Sequence, residues 1–472
     1  MEGTSIGMAG RKTAAILFTV TFLITSIFTG CGEKAERIAE IRLDYDSFDF
    51  AGVEGLSQIS PDAVIPEYCS EVSIGYTQED GTNKLLLFSQ PVQYMNSSGS
   101  LEPIDTRIKN ADPSEERKGY IYQTASCDIN VYYPEHLSQG SGIKLCSEKY
   151  EYELRLKNNK KLFSQYEIIY DFLGNERMGV SYGGAFGKDT CMQSYPSSLG
   201  ARNEIILQRP VGETKFIFEL KAEDATPRVE AGGYILLISN EKDEEGKEII
   251  LGVIHPPLLK DANQNLSVDN SLRITGAGEN LYDVEVVLDP AFLSSDTTKY
   301  PLMFDLCTEM RKEKQADTQV YSKQPDLNAY LRNYTIIGDH PDYGESECYV
   351  RYQFIREYGI PADRITSAEY ITYSLTDQKQ SISAFFVLED WCSLTSNWNH
   401  KAPYGEQIGG LDASAGEIHL DISKAARAFA KDTSGAMQSN GMLLRSGQKG
   451  GFSVLASSDS SLFHVRTEII FR

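Results

Sequence analysis

Residues 150–157 read YEYELRLK, and this short stretch decides the fold class. Aromatic and aliphatic side chains alternate in it with charged ones, so an extended strand has one apolar face and one wet face. The same period of two recurs in KFIFEL at residues 215–220 and in LYDVEVVL at residues 281–288. Strands with one solvated face are typical of antiparallel sheets. The sequence therefore predicts an all-β protein.

Helical patterns are scarce elsewhere in the chain. DISKAARAFAKD, residues 421–432, predicts one clear helix, with Asp421 as its N-cap and an apolar stripe that ends at Phe429. A shorter helical turn is predicted where Asp289 caps DPAFL. We therefore expect one short helix in the C-terminal part and mostly strands around it.

The first thirty residues have the pattern of an export signal. Arg11 and Lys12 precede an apolar run that is short for a membrane span. The run ends in Gly30-Cys31, which resembles the lipobox of bacterial lipoproteins. This resemblance implies lipidation of Cys31; an uncleaved membrane anchor is the alternative. Both place the bulk of the chain outside the cytoplasmic membrane.

The chain as a whole divides into four predicted parts. The segment after Cys31 is charged and lacks a clear period, which is typical of a tether. KEKQA at residues 312–316 is polar and lacks strand character, so we expect a domain boundary there. The predicted parts are a signal peptide (1–30), a tether (31–58), a β-rich, sandwich-like domain (59–311) and a second domain (317–472).

Charge and cysteine usage exclude some functions. The formal net charge is −22, and such a surface repels phosphate backbones, so no nucleic-acid partner is expected. Seven cysteines follow Cys31, and none has the spacing of a zinc site. We interpret most of them as small buried hydrophobic residues and single out Cys127 and Cys146 as the one pair to test for a disulfide.

A series of short strand and turn segments follows from residue 317 onward. In order, they are DTQVYSKQPDLN, YTIIG, YVRYQF, GIPADRITSAEYITYSL, SNWNHKAP, HLDISKAARAF and NGMLLR. In this order they resemble the DNRLRE domain, which is also classed as a carbohydrate-binding module (family 96). The preceding region is similar to the β-rich part of wall-associated proteins of Gram-positive bacteria, in VQYMNSSGSLEPIDTRIKN and NEIILQRPVGETKFIFELKAED. The resemblance implies a C-terminal jelly-roll β-sandwich and a surface or wall-associated binding protein.

Catalytic signatures are weak, and no enzyme activity is expected. The six histidines form no HExxH motif or close pair. The nearest approach to a nucleophile elbow, around Ser414, has Asp412 where a glycine is needed.

One segment has the spacing of a calcium loop. In DANQNLSVDN, oxygen-bearing residues occupy every second position, among them Asp261, Asn263, Asn265 and Asp269. The loop glycine and the closing glutamate are missing, and asparagine-rich turns look the same without a metal. We expect no cofactor and leave a structural calcium ion open as the alternative.

The two tryptophans lie seven positions apart, in WCSLTSNWNHKAP. Trp391 follows an apolar run and is predicted to be core. Trp398 lies in a polar loop, where it either packs under the loop or stacks on a sugar. If a sugar is bound, Tyr330 and Tyr334 are the other candidate stacking faces.

The sequence thus predicts a monomeric, non-catalytic surface lipoprotein that binds wall or environmental polysaccharide through its C-terminal domain. Its contact with the membrane is through the lipid anchor, at the outer face of the cytoplasmic membrane of a Gram-positive bacterium. One alternative is a structural or protein-interaction module of the cell envelope. Another is a polysaccharide-degrading enzyme.

Overall fold

The computed structural model describes residues 53, 55–157, 160–310, 317–351 and 355–472, and these belong to one compact unit. Antiparallel strands dominate, which confirms the all-β prediction. The predicted signal peptide, Cys31 and the predicted boundary at 312–316 lie outside the described residues. Within the described part of the chain, no helix is long and apolar enough to cross a membrane.

Strands before residue 311 build the first sandwich, one hairpin of the second, and two small two-stranded sheets. In chain order they are β1 (Ser73–Thr77), β2 (Asn83–Phe88), β3 (Gln93–Met95), β4 (Leu101–Pro103), β5 (Asp105–Asn110), β6 (Tyr120–Ser126), β7 (Asn130–Pro134), β8 (His136–Leu137), β9 (Ile143–Cys146), β10 (Glu151–Leu156), β11 (Leu162–Phe163), β12 (Gln165–Tyr170), β13 (Glu176–Gly183), β14 (Thr190–Pro196), β15 (Gly200–Leu207), β16 (Lys215–Ala222), β17 (Ala225–Val229), β18 (Ile235–Lys242), β19 (Glu248–Ile254), β20 (Leu259–Lys260), β21 (Leu266–Ser267), β22 (Ser271–Gly278), β23 (Leu281–Val287) and β24 (Leu302–Met310). The two small sheets are β3–β4 and β8–β11.

Two sheets form the first sandwich. An 8-stranded sheet has the order β22-β23-β16-β10-β9-β7-β6-β5, and a 10-stranded sheet follows the path β12-β13-β14-β15-β24-β19-β18-β17. Their apolar faces share one core, in which the rings of Phe216 and Phe304 lie 4.8 Å apart. Tyr152, Leu154 and Leu156 of β10 are buried in this core, as the alternation predicts.

The second sandwich contains the C-terminal strands. These are β25 (Asp317–Tyr321), β26 (Tyr334–His340), β27 (Gly344–Val350), β28 (Ile365–Ser374), β29 (Gln380–Val387), β30 (Tyr404–Ala413), β31 (Gly416–Asp421), β32 (Met442–Ser446), β33 (Gly451–Ala456) and β34 (Arg466–Phe471). They belong to a 12-stranded sheet in which β28 meets β33 at one residue pair, Ser374 and Leu455. The parts on either side of this junction share a second core.

Four short helices accompany the strands of the described residues: α1 (Pro113–Glu116), α2 (Pro290–Ser294), α3 (Ser423–Lys431) and α4 (Ala436–Asn440). Asp289 caps α2 as predicted, because its side chain accepts hydrogen bonds from the backbone of Ala291 and Phe292. The predicted C-terminal helix is α3, which buries Phe429, but its N-cap is Ile422 and not the predicted Asp421. The sequence missed α4, a single turn without an apolar stripe to announce it.

The strands do not follow the predicted division of the chain. β2 pairs with β34, so the hairpin β1–β2 is part of the C-terminal sheet. Leu56, assigned to the tether, is buried in the first core. The domain bounds 59–311 and 317–472 stay a prediction, but sheet pairing crosses them.

Candidate functional site

Trp391 lies in the second sandwich, four residues after the end of β29. Only 7% of its surface is exposed, which confirms the core prediction. Its indole N–H donates a hydrogen bond of 2.7 Å to the carbonyl of Asn440, and its ring lies 5.5 Å from that of Tyr349. The loop that follows is thereby fixed at its first residue.

Trp398 begins a short 3-10 helix, Trp398–His400, whose backbone is capped by the side chain of Asn397. Its ring is half-buried and packs against the cluster around Trp391. The ammonium group of Lys401 lies 3.3 Å from the ring centroid and also donates to the buried Glu347, at 2.7 Å. The arrangement favours the packing interpretation of Trp398, because a cation already covers one face of the indole.

Beside Trp391 lies an open cavity of about 590 Å³. Its lining mixes carboxylates, hydroxyls, basic side chains and the indole of the first tryptophan: Glu389, Asp390, Trp391, Cys392, Thr395, Ser396, His400, Lys401 and Ala402. Trp398 is not part of this lining. The cavity therefore offers hydrogen-bond donors and acceptors in one concave surface, with an aromatic residue among them.

Glu389 and Asp390 form the acidic rim of the cavity, and Arg351 fixes the position of Asp390. This guanidinium donates 2.6 Å and 2.7 Å hydrogen bonds to the Asp390 carboxylate and to the carbonyl of Trp391, and it lies 4.7 Å from the Trp391 ring. Asp390 remains 79% exposed, so its second oxygen can accept from a ligand. The rim is both anchored to the framework and open to solvent.

Tyr330 and Tyr334 do not reach this cavity. Tyr330 is 7% exposed and packs edge-on against Tyr234 of the first sandwich. Tyr334 is 1% exposed and donates to the carbonyl of Val268. Neither ring is accessible to a sugar, because both are used where the two sandwiches meet. Their expected role in ligand binding is therefore corrected to one in packing.

The calcium candidates form an Asx turn. One oxygen of Asp261 accepts from the backbone of Asn263 and Asn265, and the other accepts from the Asn265 side chain and from the backbone of Lys299. These four hydrogen bonds satisfy the carboxylate without a metal. Asp269 is not among these partners and is hydrogen-bonded to Asp342 instead.

A second polar centre lies inside the protein, where the 10-stranded sheet faces the C-terminal sandwich. Arg202 is fully buried and donates to Asp305 at 2.8 Å, to Tyr195 at 3.1 Å and to Ser461 at 3.0 Å. Tyr195 in turn donates to Glu204 at 2.7 Å. The charges are thus connected through a network that crosses between the sandwiches.

His255, Cys307 and Glu309 lie beside this network and are buried. One ligand atom of each can be chosen so that all three lie within 4.8 Å of one another. Burial raises the pKa of the Cys307 thiol. Burial is the largest single influence and lowers the pKa of His255, but the hydrogen bond to Glu309 and the negative charges of Glu309 and Asp459 together raise it above its usual value.

This cluster was not found from the sequence, because its members are up to 54 positions apart. The pairing of β19 with β24 brings them together. A signal was present in LMFDLCTEM, where Asp305, Cys307 and Glu309 alternate with residues of a core strand. Polar residues on one face of a fully buried strand indicate a buried polar partner, but the sequence does not identify it.

All seven cysteines of the described residues are free thiols. Cys127 and Cys146 are not joined: Cys127 contacts the carbonyl of Ser198, and Cys146 that of Ser147. The pair singled out for a disulfide therefore has separate partners. Cys392, at the cavity, is exposed.

Comparison with known proteins adds no assignment. No protein-family model matches the chain, and a search of curated proteins gave no significant match.

Proposed function

We propose that this protein is a non-catalytic cell-surface protein that binds a polysaccharide in the cavity beside Trp391. The observation that carries the proposal is the cavity itself, of about 590 Å³, with its mixed donors and acceptors around a tryptophan. Binding sites for small molecules are concave and combine apolar surface with a few polar groups that orient the ligand. The resemblance of residues 317–472 to a carbohydrate-binding domain supports the same function.

The chemistry of the rim suits a hydroxyl-rich ligand. Sugar hydroxyls both donate and accept, so they can bind carboxylates such as Glu389 and cationic donors such as Lys401 at the same time. Thr395 and Ser396 add hydroxyl groups of their own. The anchoring of Asp390 by Arg351 keeps the rim in place before a ligand arrives, which lowers the entropic cost of binding.

The test is equilibrium binding of the purified chain to a panel of neutral and acidic polysaccharides. We expect Glu389→Gln and His400→Ala each to weaken binding roughly tenfold, because each removes a charged or polar contact worth about 1.5 kcal/mol. Glu244→Gln is the matched control, since Glu244 is exposed on a hairpin of the first sandwich. Unchanged affinity in both cavity variants, or no binding to any polysaccharide, would overturn the proposed site.

Tryptophan fluorescence gives a second readout. The chain has two tryptophans, so Trp398→Phe assigns the signal to Trp391. A polysaccharide in the cavity should change the emission of Trp391 in that variant. Emission that stays constant at saturating polysaccharide argues against contact with this indole.

A protein-interaction module is the second candidate. Two large apolar side chains near the cavity favour it: Leu388 is 58% exposed and Leu394 is 54% exposed. The double variant Leu388→Ser/Leu394→Ser separates the two functions. A polysaccharide site centred on the polar rim keeps its affinity in this variant, whereas a loss there with no effect of Glu389→Gln favours an apolar docking surface.

The proposal includes a lipid anchor at Cys31, at the outer face of the cytoplasmic membrane, and a monomeric chain. The lipid anchor is inferred from the lipobox-like sequence that ends at Cys31. Metabolic labelling with a fatty-acid analogue should mark the wild-type chain and not Cys31→Ala. Labelling of both would contradict lipidation at this residue.

A further inference from the structure

The cluster of His255, Cys307 and Glu309 has the donor set of a transition-metal site. The Nε2 atom of His255 lies 3.2 Å from one carboxylate oxygen of Glu309, and the thiol sulfur of Cys307 lies 3.5 Å from the other. In a tetrahedral zinc site with bonds of 2.0–2.3 Å, neighbouring ligand atoms are about 3.3–3.8 Å apart. These two distances, each to its own oxygen of Glu309, are close to this range, and one ligand atom from each residue lies within 4.8 Å of the other two, so a metal ion would draw the three side chains slightly together.

The backbone fixes the positions of these side chains. Cys307 and Glu309 are two residues apart on β24, so they point to the same face of the sheet. The backbone N–H of His255 donates to the carbonyl of Cys307, at 3.0 Å, as the pairing of β19 with β24 continues. The three ligand atoms therefore converge because of sheet register, without a dedicated loop.

The hydrogen bonds call for a cation between His255 and Glu309. The other ring nitrogen of His255, Nδ1, lies 3.0 Å from the carbonyl of Leu331, which can only accept. Nδ1 therefore carries the hydrogen, and in a neutral imidazole Nε2 presents a lone pair to a carboxylate oxygen. Two acceptors at this distance repel unless a proton or a metal ion lies between them. A carbonyl on the far ring nitrogen is also the partner that orients metal-binding histidines.

The charges beside the cluster leave a place for a cation at Glu309. Arg202 pairs with the buried Asp305 and Glu204, and Arg177 and Lys260 also act on Glu204, whereas the buried Glu309 faces His255. Buried charge is costly unless it is paired. A dication that binds the Cys307 thiolate adds one net positive charge, and the thiol proton is released on binding.

We propose that His255, Cys307 and Glu309 bind a divalent transition-metal ion of the zinc type between the two sandwiches. Nitrogen, thiolate and carboxylate ligands together suit Zn²⁺. Ser461, whose hydroxyl lies 3.0 Å from the Cys307 sulfur, or a water completes the coordination. Because Ser461 and the orienting carbonyl of Leu331 belong to the C-terminal sandwich, the ion holds the two sandwiches together.

The test is a titration of the purified, chelator-treated chain with Co²⁺ and with Zn²⁺. We expect one Co²⁺ per chain, with the sulfur-to-metal absorption band of a thiolate ligand, and displacement by Zn²⁺. Cys307→Ser should abolish the band, and His255→Gln should weaken binding at least roughly tenfold. Cys348→Ser, an equally buried thiol elsewhere, and Cys392→Ser, the exposed thiol, are the matched controls and should keep the band.

Thermal unfolding provides the readout if a variant folds poorly. Zn²⁺ should raise the Tm of the wild type and of both control variants, and should leave the Tm of Glu309→Gln and His255→Gln nearly unchanged. The proposal is overturned if the wild type binds neither ion, if the band survives in Cys307→Ser, or if Cys392→Ser removes it. Absence of metal binding would leave a protonated His255 as the cation beside Glu309.

Discussion

The cavity beside Trp391 and the buried network around Arg202 use similar side chains in opposite surroundings. In the cavity, Asp390 pairs with Arg351 but is 79% exposed, whereas Asp305 and Arg202 are 0% exposed. An exposed pair is screened by water and keeps capacity for other partners. A buried pair is strongly coupled to the fold, because neither member can turn to solvent when the other is removed.

Because of this difference, we expect the two regions to control different properties of the protein. The buried network, together with Tyr330 and Tyr334, belongs to the join between the sandwiches and is expected to control stability. The rim of the cavity can change with little effect on stability and is expected to control binding.

The largest effect is expected when the C-terminal sandwich is separated from β1–β2. Leu85 and Leu87 of β2 are fully buried in its core, and each contributes about 1.5–3 kcal/mol. A typical domain has only about 5–15 kcal/mol of stability. We expect residues 317–472 alone to lack a cooperative unfolding transition, and residues 73–88 fused to them through a flexible linker to restore it. A cooperative transition of equal stability in both would show that the hairpin is dispensable.

Arg202→Met should be the most damaging single substitution in the network. It leaves Asp305 and Glu204 buried without their cation, at a cost of about 3–5 kcal/mol in the free energy of unfolding. Urea denaturation measures this value. Arg228→Met is the control, because Arg228 pairs with Glu248 on the surface, where a pair contributes about 0–1 kcal/mol.

The double variant Arg202→Met/Asp305→Asn separates lost pairing from lost packing. In the wild type, the backbone N–H of Leu258 donates a hydrogen bond of 2.6 Å to one carboxylate oxygen of Asp305. Asparagine keeps an oxygen that can accept this hydrogen bond, but it removes the unpaired negative charge. We expect it to recover part of the stability lost in Arg202→Met. If the double variant is no more stable than the single one, the loss is due to packing and not to charge.

A medium effect is expected at the two tryptophans. Trp391→Phe removes the hydrogen bond to Asn440 and leaves space in a packed cluster, so we expect a loss of about 1–3 kcal/mol. Trp398→Phe should cost less, because its ring is only half-buried. Acrylamide should quench Trp398 more than Trp391. Equal costs and equal quenching would remove the distinction between core and loop tryptophan.

Sequence patterns correctly predicted those features of the fold that depend on residues close together in the chain. The alternation in β10 predicted its buried face, and Asp289 predicted the start of α2, because strand and cap patterns need only adjacent residues. The stripe through Phe429 predicted α3 in the same way. The sequence also predicted that Trp391 is core and that Trp398 lies in a loop, although the apolar run before Trp391 leaves the strand at Val387.

These local patterns could not predict contacts between strands that are far apart in the sequence. The alternation of β2 does not say that its partner is β34, close to 400 residues later, so the sequence did not predict that β1–β2 joins the C-terminal sheet. Tyr330 and Tyr334 are aromatic residues in a polar stretch, which is typical of a binding surface. In the folded protein they contact Tyr234 and Val268, which are far away in the sequence, and the first sandwich covers them. His255 and Cys307 look like isolated residues until β19 pairs with β24.

The smallest effect concerns a carboxyl pair at the join. Asp269 has its pKa raised to about 6, by desolvation first and then by Asp342 and Asp289, against the opposing charge of Arg332. Because this value lies above that of an unfolded chain, about 3.9, the folded state binds the extra proton. The contribution of Asp269 to stability is therefore fully present below about pH 4 and is lost as the pH rises through about 6.

Asp269→Asn should consequently match the wild type in Tm at about pH 4 and exceed it at about pH 8. The gain should stay below about 1 kcal/mol, because neighbouring groups desolvate the carboxyl only in part and the exposed side of the residue lets water screen the repulsion. High salt should reduce it further. Asp363→Asn, at an exposed carboxylate elsewhere, should show no such pH dependence. A variant that is less stable than the wild type at the higher pH would mean that Asp269 is held by an attractive partner, and the join would then be stabilised by this pair as it is by Arg202 and Asp305.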